Sequence, residues 1–225
     1  MLPGQHGTGN YTVKLSETLS FPGDWEAFLV SADIPYTWYN VTEQNNQLVL
    51  PGKTLRLTPA NYTSAATLVA AIDKLLEQEP ANPTISVDPY TMRTTITVFS
   101  DHSLSGPLLE LLGFPVGTTL EVGTHVSSSL VDVTGGVNSL LVYISIIKNT
   151  NVGSFQVPLL AQIPLENASP GDIIHRAASG PDYEAHELNM RSFQSIEVDV
   201  RDTHGESIEF NQYDLSIRIG IRKST

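Results

Sequence analysis

Apolar and polar positions alternate along most of this chain. Tyr11-Thr-Val-Lys-Leu-Ser-Glu-Thr-Leu19 follows the period of two that belongs to a half-buried strand. Trp25-Glu-Ala-Phe-Leu-Val-Ser-Ala-Asp-Ile34 is more continuously apolar, which places it deeper. The turn-forming Pro22-Gly23-Asp24 precedes it. Leu48-Val-Leu50 and Thr54-Leu-Arg-Leu57 flank Pro51-Gly52-Lys53 as a short hairpin. Thr84–Asp88 and Thr94–Phe99 flank Pro89–Arg93 as a second. Further strands are expected at Leu140–Ile147, Phe155–Leu165, Ser195–Val200 and Leu215–Arg222. The last sets Leu215, Ile217, Ile219 and Ile221 against Ser216, Arg218, Gly220 and Arg222.

Two stretches switch to helical spacing. Between Ser64 and Gln78, residues Ala65, Leu68, Val69, Ile72, Leu75 and Leu76 form an apolar stripe. Thr63 or Ser64 serves as cap and Pro80 as stop. A shorter helix is expected from a Ser105 cap through Pro107, Leu108, Leu109, Leu111 and Leu112, ended by Gly113. Many short strands with turns between them, and two clustered helices, predict an all-β antiparallel sandwich or barrel rather than a parallel α/β sheet. The expected organisation is a flexible arm over residues 1–10 and one domain over 11–225. A helix-containing embellishment occupies about 60–115. The arm lacks a basic region followed by an apolar one, so it does not read as a signal peptide. No stretch of 18 consecutive apolar residues is present to span a membrane as a helix.

Composition narrows the function. The 225 residues include 12 Lys+Arg against 24 Asp+Glu, a net charge of −12, and no Cys. Disulfides and thiolate chemistry are excluded. A grip on nucleic acid needs clustered cations, whereas here the densest group is only Arg218, Arg222 and Lys223. Charged residues are 16% of the chain, low for a free monomer surface and ordinary for a β protein that hides surface in an assembly. Four Asn-x-Ser/Thr sequons, at Asn10, Asn40, Asn61 and Asn167, are read as unused.

The six His lie near carboxylates at Asp101-His102, Asp172/His175, Glu184/His186/Glu187 and Asp202/His204, with His6 and His125 apart from these. The His186 group is the best metal candidate, because residues two apart on a strand share a face. In so acidic a chain such neighbours are common, and a solvated loop accounts for them. No Gly-x-Ser-x-Gly elbow, Ser-x-x-Lys pair, His-x-His pair or phosphate-binding loop appears. No catalytic residue, cofactor site or metal site is assigned, and no enzyme activity is expected. Tyr36, Trp38 and Tyr39, in Tyr36-Thr-Trp-Tyr-Asn40, are the candidate interface or ligand surface: they either stack on a sugar ring or a neighbouring subunit, or pack as a buried strand end.

Several segments, in order, resemble the penton (minor capsid) proteins of Maverick/Polinton elements and adintoviruses, and more distantly those of virophages. They are Pro22-Gly-Asp-Trp-Glu-Ala-Phe-Leu-Val-Ser-Ala-Asp-Ile-Pro-Tyr-Thr-Trp-Tyr-Asn40, Leu55-Arg-Leu-Thr-Pro-Ala-Asn-Tyr-Thr-Ser64 with the helix after it, and Leu108-Leu-Glu-Leu-Leu-Gly-Phe114. Leu141-Val-Tyr-Ile-Ser145 with Val157-Pro-Leu-Leu160 follows, then Asp199-Val-Arg-Asp-Thr-His-Gly205 with Leu215-Ser-Ile-Arg-Ile219. Ala161 stands where the family has Arg, and Pro59-Ala60 where it has Pro-Gly. The resemblance implies a single jelly roll of two four-stranded sheets. It also implies a homopentamer at each five-fold vertex of an icosahedral virion, beside a double-jelly-roll major capsid protein, with a host receptor as a further candidate partner. The alternative reading of the residues is a jelly-roll binding module that recognises a glycan or a host surface protein.

Overall fold

The strand Trp25–Pro35 organises the first part of the fold because both of its edges are paired. Ser216–Lys223 runs antiparallel along one edge. Ile173–Ala177 and His186–Glu187 share the other, opposite residues 31–35 and 26–27 respectively. The structure is a computed structural model and describes residues 9–78, 83–99, 102–165, 168–177, 184–211 and 213–224. Most of the expected arm (residues 1–8), His6, Pro80, Asp101 and Asn167 lie outside the described residues.

The described chain forms two compact units. One combines Met1–Trp38 with Val137–Thr225, and the other is Tyr39–Gly136. The first unit is a sandwich. The sheet around Trp25–Pro35 faces a second sheet in the order Asn10–Ser20, Ser192–Arg201, Ser139–Ile144, Leu159–Pro164, all antiparallel. Leu140, Val142, Ile144, Leu160, Ile163, Val198 and Val200 from one sheet meet Ala27, Leu29, Ala32, Ile34 and Ile174 from the other. Each fully buried Val, Leu or Ile here contributes about 1.5–3 kcal/mol relative to exposure. This is the mostly β, antiparallel jelly-roll architecture expected for the chain.

The continuous apolar run in Trp25–Pro35 has a local cause. Leu29 lies opposite Ile219 and Ser31 opposite Arg218, so Val30 is an extra residue, a bulge. The inward set therefore changes phase, from Ala27 and Leu29 to Ala32 and Ile34. Along Ser216–Lys223 the alternation is kept. Ile217, Ile219 and Ile221 are only half-buried, though they pack against the core, because among the described residues this strand is paired along one edge alone. Gly9 also belongs to the sheet region: its N–H donates to Ile208 O at 2.8 Å, and Val200 N–H donates to its carbonyl at 2.8 Å.

The second unit closes a core of its own. Its helix Ala65–Leu76 starts at Ser64, whose hydroxyl accepts from Thr67 N–H at 3.1 Å while Thr67 Oγ1 accepts from Ser64 N–H at 3.0 Å, a reciprocal cap. Its buried face, Ala65, Leu68, Val69, Ile72 and Leu76, joins Leu48, Ile85, Ile96 and Leu104. Thr84–Val87, Thr94–Val98 and Gly123–Val126 form one small sheet. Lys53–Arg56, Gln47–Leu50, Leu104–Ser105 and Thr119–Leu120 form another. The helix-bearing stretch 60–115 lies inside this unit. The short helix Leu108–Leu111 corrects one expectation. Ser105 is not its cap, because Ser105 is held in a ladder between Val49 and Thr119, and Pro107 takes the cap position with no side-chain hydrogen bond. Gly113 does terminate it, at φ 86°, and a Cβ there would lie 2.2 Å from Ser129 O.

Two stability measurements follow from this core. Ile217→Asp is expected to lose about 1–3 kcal/mol in urea unfolding, the cost of a half-buried charge without a partner; unchanged stability would place the inner row of that strand outside the core. Burial pushes the Tyr11 phenol up to about 12 from its ordinary 10.0. The folded state thus holds this proton more tightly than the unfolded state. The contribution of Tyr11 is complete below pH 10 and is lost as pH rises from 10 towards 12. Thermal melts across that window should show a drop that Tyr11→Phe reduces.

Candidate interaction surface

Two of the three aromatic candidates are used internally. Tyr36 and Trp38 are 1% and 5% exposed and stack with ring centroids 4.1 Å apart, and Phe210 meets Trp38 edge-on at 6.1 Å. The backbone around them is pinned: Thr37 Oγ1 donates to Phe210 O at 2.7 Å, and Asn211 Nδ2 donates to Thr37 O. These two rings belong to the core of the first unit and present no face to solvent. Tyr39, in the second unit, is half-exposed. Asn40 is buried and acts as a clamp within that unit, its Nδ2 donating to Tyr62 O at 2.8 Å and Val133 O at 2.7 Å while its Oδ1 accepts from Tyr62 N–H. A side-chain amide engaged in this way has no room for a glycan in the folded chain.

The His-carboxylate groups are also dispersed. His186 is buried and its Nε2 lies 3.2 Å from Leu160 O, whereas the neighbouring Glu187 pairs with Lys148. His175 pairs with Asp33 across strands, and His125 lies against Glu121 O. Among the described residues no three His, Asp or Glu side chains converge on a metal-sized site.

What the sandwich offers instead is two broad outer faces. On the four-stranded sheet, Val198 and Val200 point inward, so Glu197, Asp199 and Arg201 point outward. Leu141 and Tyr143 lie opposite Arg201 and Asp199 and share that face. The hairpin Thr150–Val152/Phe155–Val157 rises beside it, turning at Gly153. Together they bound an open groove of about 940 Å³, lined by Asn10, Tyr143, Phe155, Pro158, Glu197 and Asp199 among others. Arg201 Nε donates to Asp199 Oδ2 at 2.7 Å and Nη1 to Gly205 O at 3.1 Å. The Asp199 hydrogen bond and charge hold this guanidinium still more firmly protonated than usual. Asp199 Oδ1 is buried and has no hydrogen-bond partner among the described residues. Burial pushes the Tyr143 phenol up from its ordinary value. The Asp202 carboxylate shapes the adjoining turn, accepting from His204 N–H at 2.8 Å and Glu206 N–H at 2.9 Å.

The opposite face is built on a glycine. The far end of the Phe28 ring lies over Gly220, where a Cβ would come within 2.4 Å of it. The Arg222 guanidinium sits 5.4 Å from the ring centroid, and its Nε reaches Glu26 Oε2 at 3.3 Å. Arg218 stands beside this stack, exposed and with no ion pair among the described residues.

A protein of known structure shares this fold. The crystal structure of the selenomethionine-labelled mavirus penton protein matches 96% of this chain and 91% of its own, with a TM-score of 0.57 at 8% sequence identity. The chain shares the fold of that protein. No protein-family model and no curated protein matches the sequence. The shared fold therefore runs through nearly the whole chain while very few residues are shared. The groove was not foreseen from sequence. Its one linear signal is the absence of Asp, Glu, Lys and Arg from residues 149–165, which include the exposed hairpin.

The Phe28–Gly220 contact generates a test. Gly220→Ala should cost about 1–3 kcal/mol by forcing the ring away. The same change in a Phe28→Ala background should cost much less, so a double-mutant cycle in chemical denaturation reads the coupling.

Proposed function

We propose that this chain is a minor capsid (penton) protein that assembles into pentamers at the five-fold vertices of an icosahedral virion, in contact with a double-jelly-roll major capsid protein. The observation that carries the reading is the extent of the fold match. It covers 96% of the chain, so both compact units take part and not only a generic sandwich.

The surface supports it. Phe155, on the hairpin that lines the groove, is 71% exposed and offers an apolar contact at its rim. A ring of five is made by one heterologous contact repeated with the right rotation, and such a contact needs two different complementary surfaces on each subunit. The two outer faces of the sandwich supply surfaces that differ in this way. The net charge of −12 suits a shell subunit that does not itself hold the genome.

Native mass spectrometry and negative-stain imaging of the purified full chain test the reading. The expected result is a five-subunit species with five-fold views, incorporated into particles on co-expression with a double-jelly-roll major capsid protein. A strict monomer at high concentration that also fails to incorporate would overturn it.

A further inference from the structure

We propose that the subunits meet head to tail through the opposite broad faces of the sandwich, with Arg218 of one copy inserted into the groove of the next against Glu197 and Asp199. This rests on the pentamer reading and specifies its contact. The occupant of the groove is a second copy of this chain.

Three observations converge on it. The first is charge. The groove face carries Glu197, which makes no side-chain ion pair among the described residues, beside Asp199, whose Oδ2 holds Arg201. On the far face, Arg218 is an exposed guanidinium with no carboxylate among the described residues. Its planar fork suits a pair of carboxylates better than a lysine would.

The second observation is direction. Val198 and Val200 face the core from one sheet, and Ile217 and Ile219 pack on it from the other. The intervening Glu197, Asp199 and Arg218 therefore point away from each other, out of opposite sides of the same sandwich. The Glu197 carboxylate in the groove on one side and the Arg218 guanidinium on the other cannot satisfy one another within a subunit. They can between identical copies related by rotation, which is the heterologous geometry of a ring.

The third is the apolar frame around the charges. Phe155, on the uncharged hairpin at the groove rim, is 71% exposed. Arg218 is flanked by the Phe28 ring lying on Gly220. Bringing these surfaces together removes an exposed aromatic from water around the ion pair and strengthens it by excluding solvent.

A charge swap on the full chain tests the contact. Arg218→Glu and Glu197→Arg, each still folded by circular dichroism, should each weaken self-association by roughly tenfold or more, read by sedimentation velocity over a concentration series. The double variant Arg218→Glu/Glu197→Arg should recover most of the assembly. Wild-type association should weaken from low to high salt. If the wild type forms pentamers and the single variants assemble as well as it does, or the double variant does not recover, this contact is wrong while the pentamer reading stands. If the wild type stays monomeric, the pentamer reading falls and takes the contact with it.

Discussion

Everything in the first unit depends on the strand Trp25–Pro35 being hydrogen-bonded along both edges while its inward side chains are sealed under the other sheet. A strand paired on both edges cannot slide, since a slip of one residue would turn Ala27, Leu29, Ala32 and Ile34 outward and expose the core. The bulge at Val30 is part of this constraint. It lets one strand curve over the core and still present small or branched residues on both sides of the bend. Ala27 and Ala32, both 0% exposed, share the sealed core with Val142 and Val200 from the facing sheet.

The same constraint fixes the outer faces. Once the inner row is set, alternate residues have no choice but to face outward, and the pairing register decides which of them become neighbours. Phe28 covers Gly220 because these two are directly opposite each other in the ladder. Arg222 reaches both Glu26 and the Phe28 ring for the same reason. On the other sheet, Tyr143 lies opposite Asp199 and Leu141 opposite Arg201, so a polar pair sits on an apolar floor. The groove is thus a by-product of core packing whose chemistry was then set by the outward positions.

This explains which parts could be read from the residues in order. Strands with one wet face announce themselves by alternation, as Leu215–Ile221 does, and the helix Ala65–Leu76 by its stripe and its Ser64–Thr67 cap. Ser105 misled because a good capping residue had a stronger claim on it, the ladder to Val49 and Thr119. The Tyr36–Tyr39 cluster was ambiguous for a physical reason: aromatic rings serve equally well in a core and at an interface. Only the stacking of Tyr36 on Trp38, closed by Phe210, shows which use the first two have. Glu197, Asp199 and Arg218 carry no linear signal, because they are far apart in sequence and each is an ordinary charged residue on an exposed strand face.

The 8% identity to a protein of the same fold follows from the same division. Inward positions need only be apolar and of roughly the right volume, so Val, Ile, Leu and Ala exchange among them with little effect on the architecture. Turn positions are stricter, as Gly113 shows, but they are few. Outward positions answer to whatever they touch. Two chains with one architecture can therefore drift apart in their cores by conservative exchange and at their faces by change in step with their own partners. If the faces meet as proposed, Glu197, Asp199 and Arg218 are under selection as a set within one gene. A change at one is tolerated only with a compensating change at another. Self-complementary surfaces on a single chain then diverge together while the fold that carries them persists.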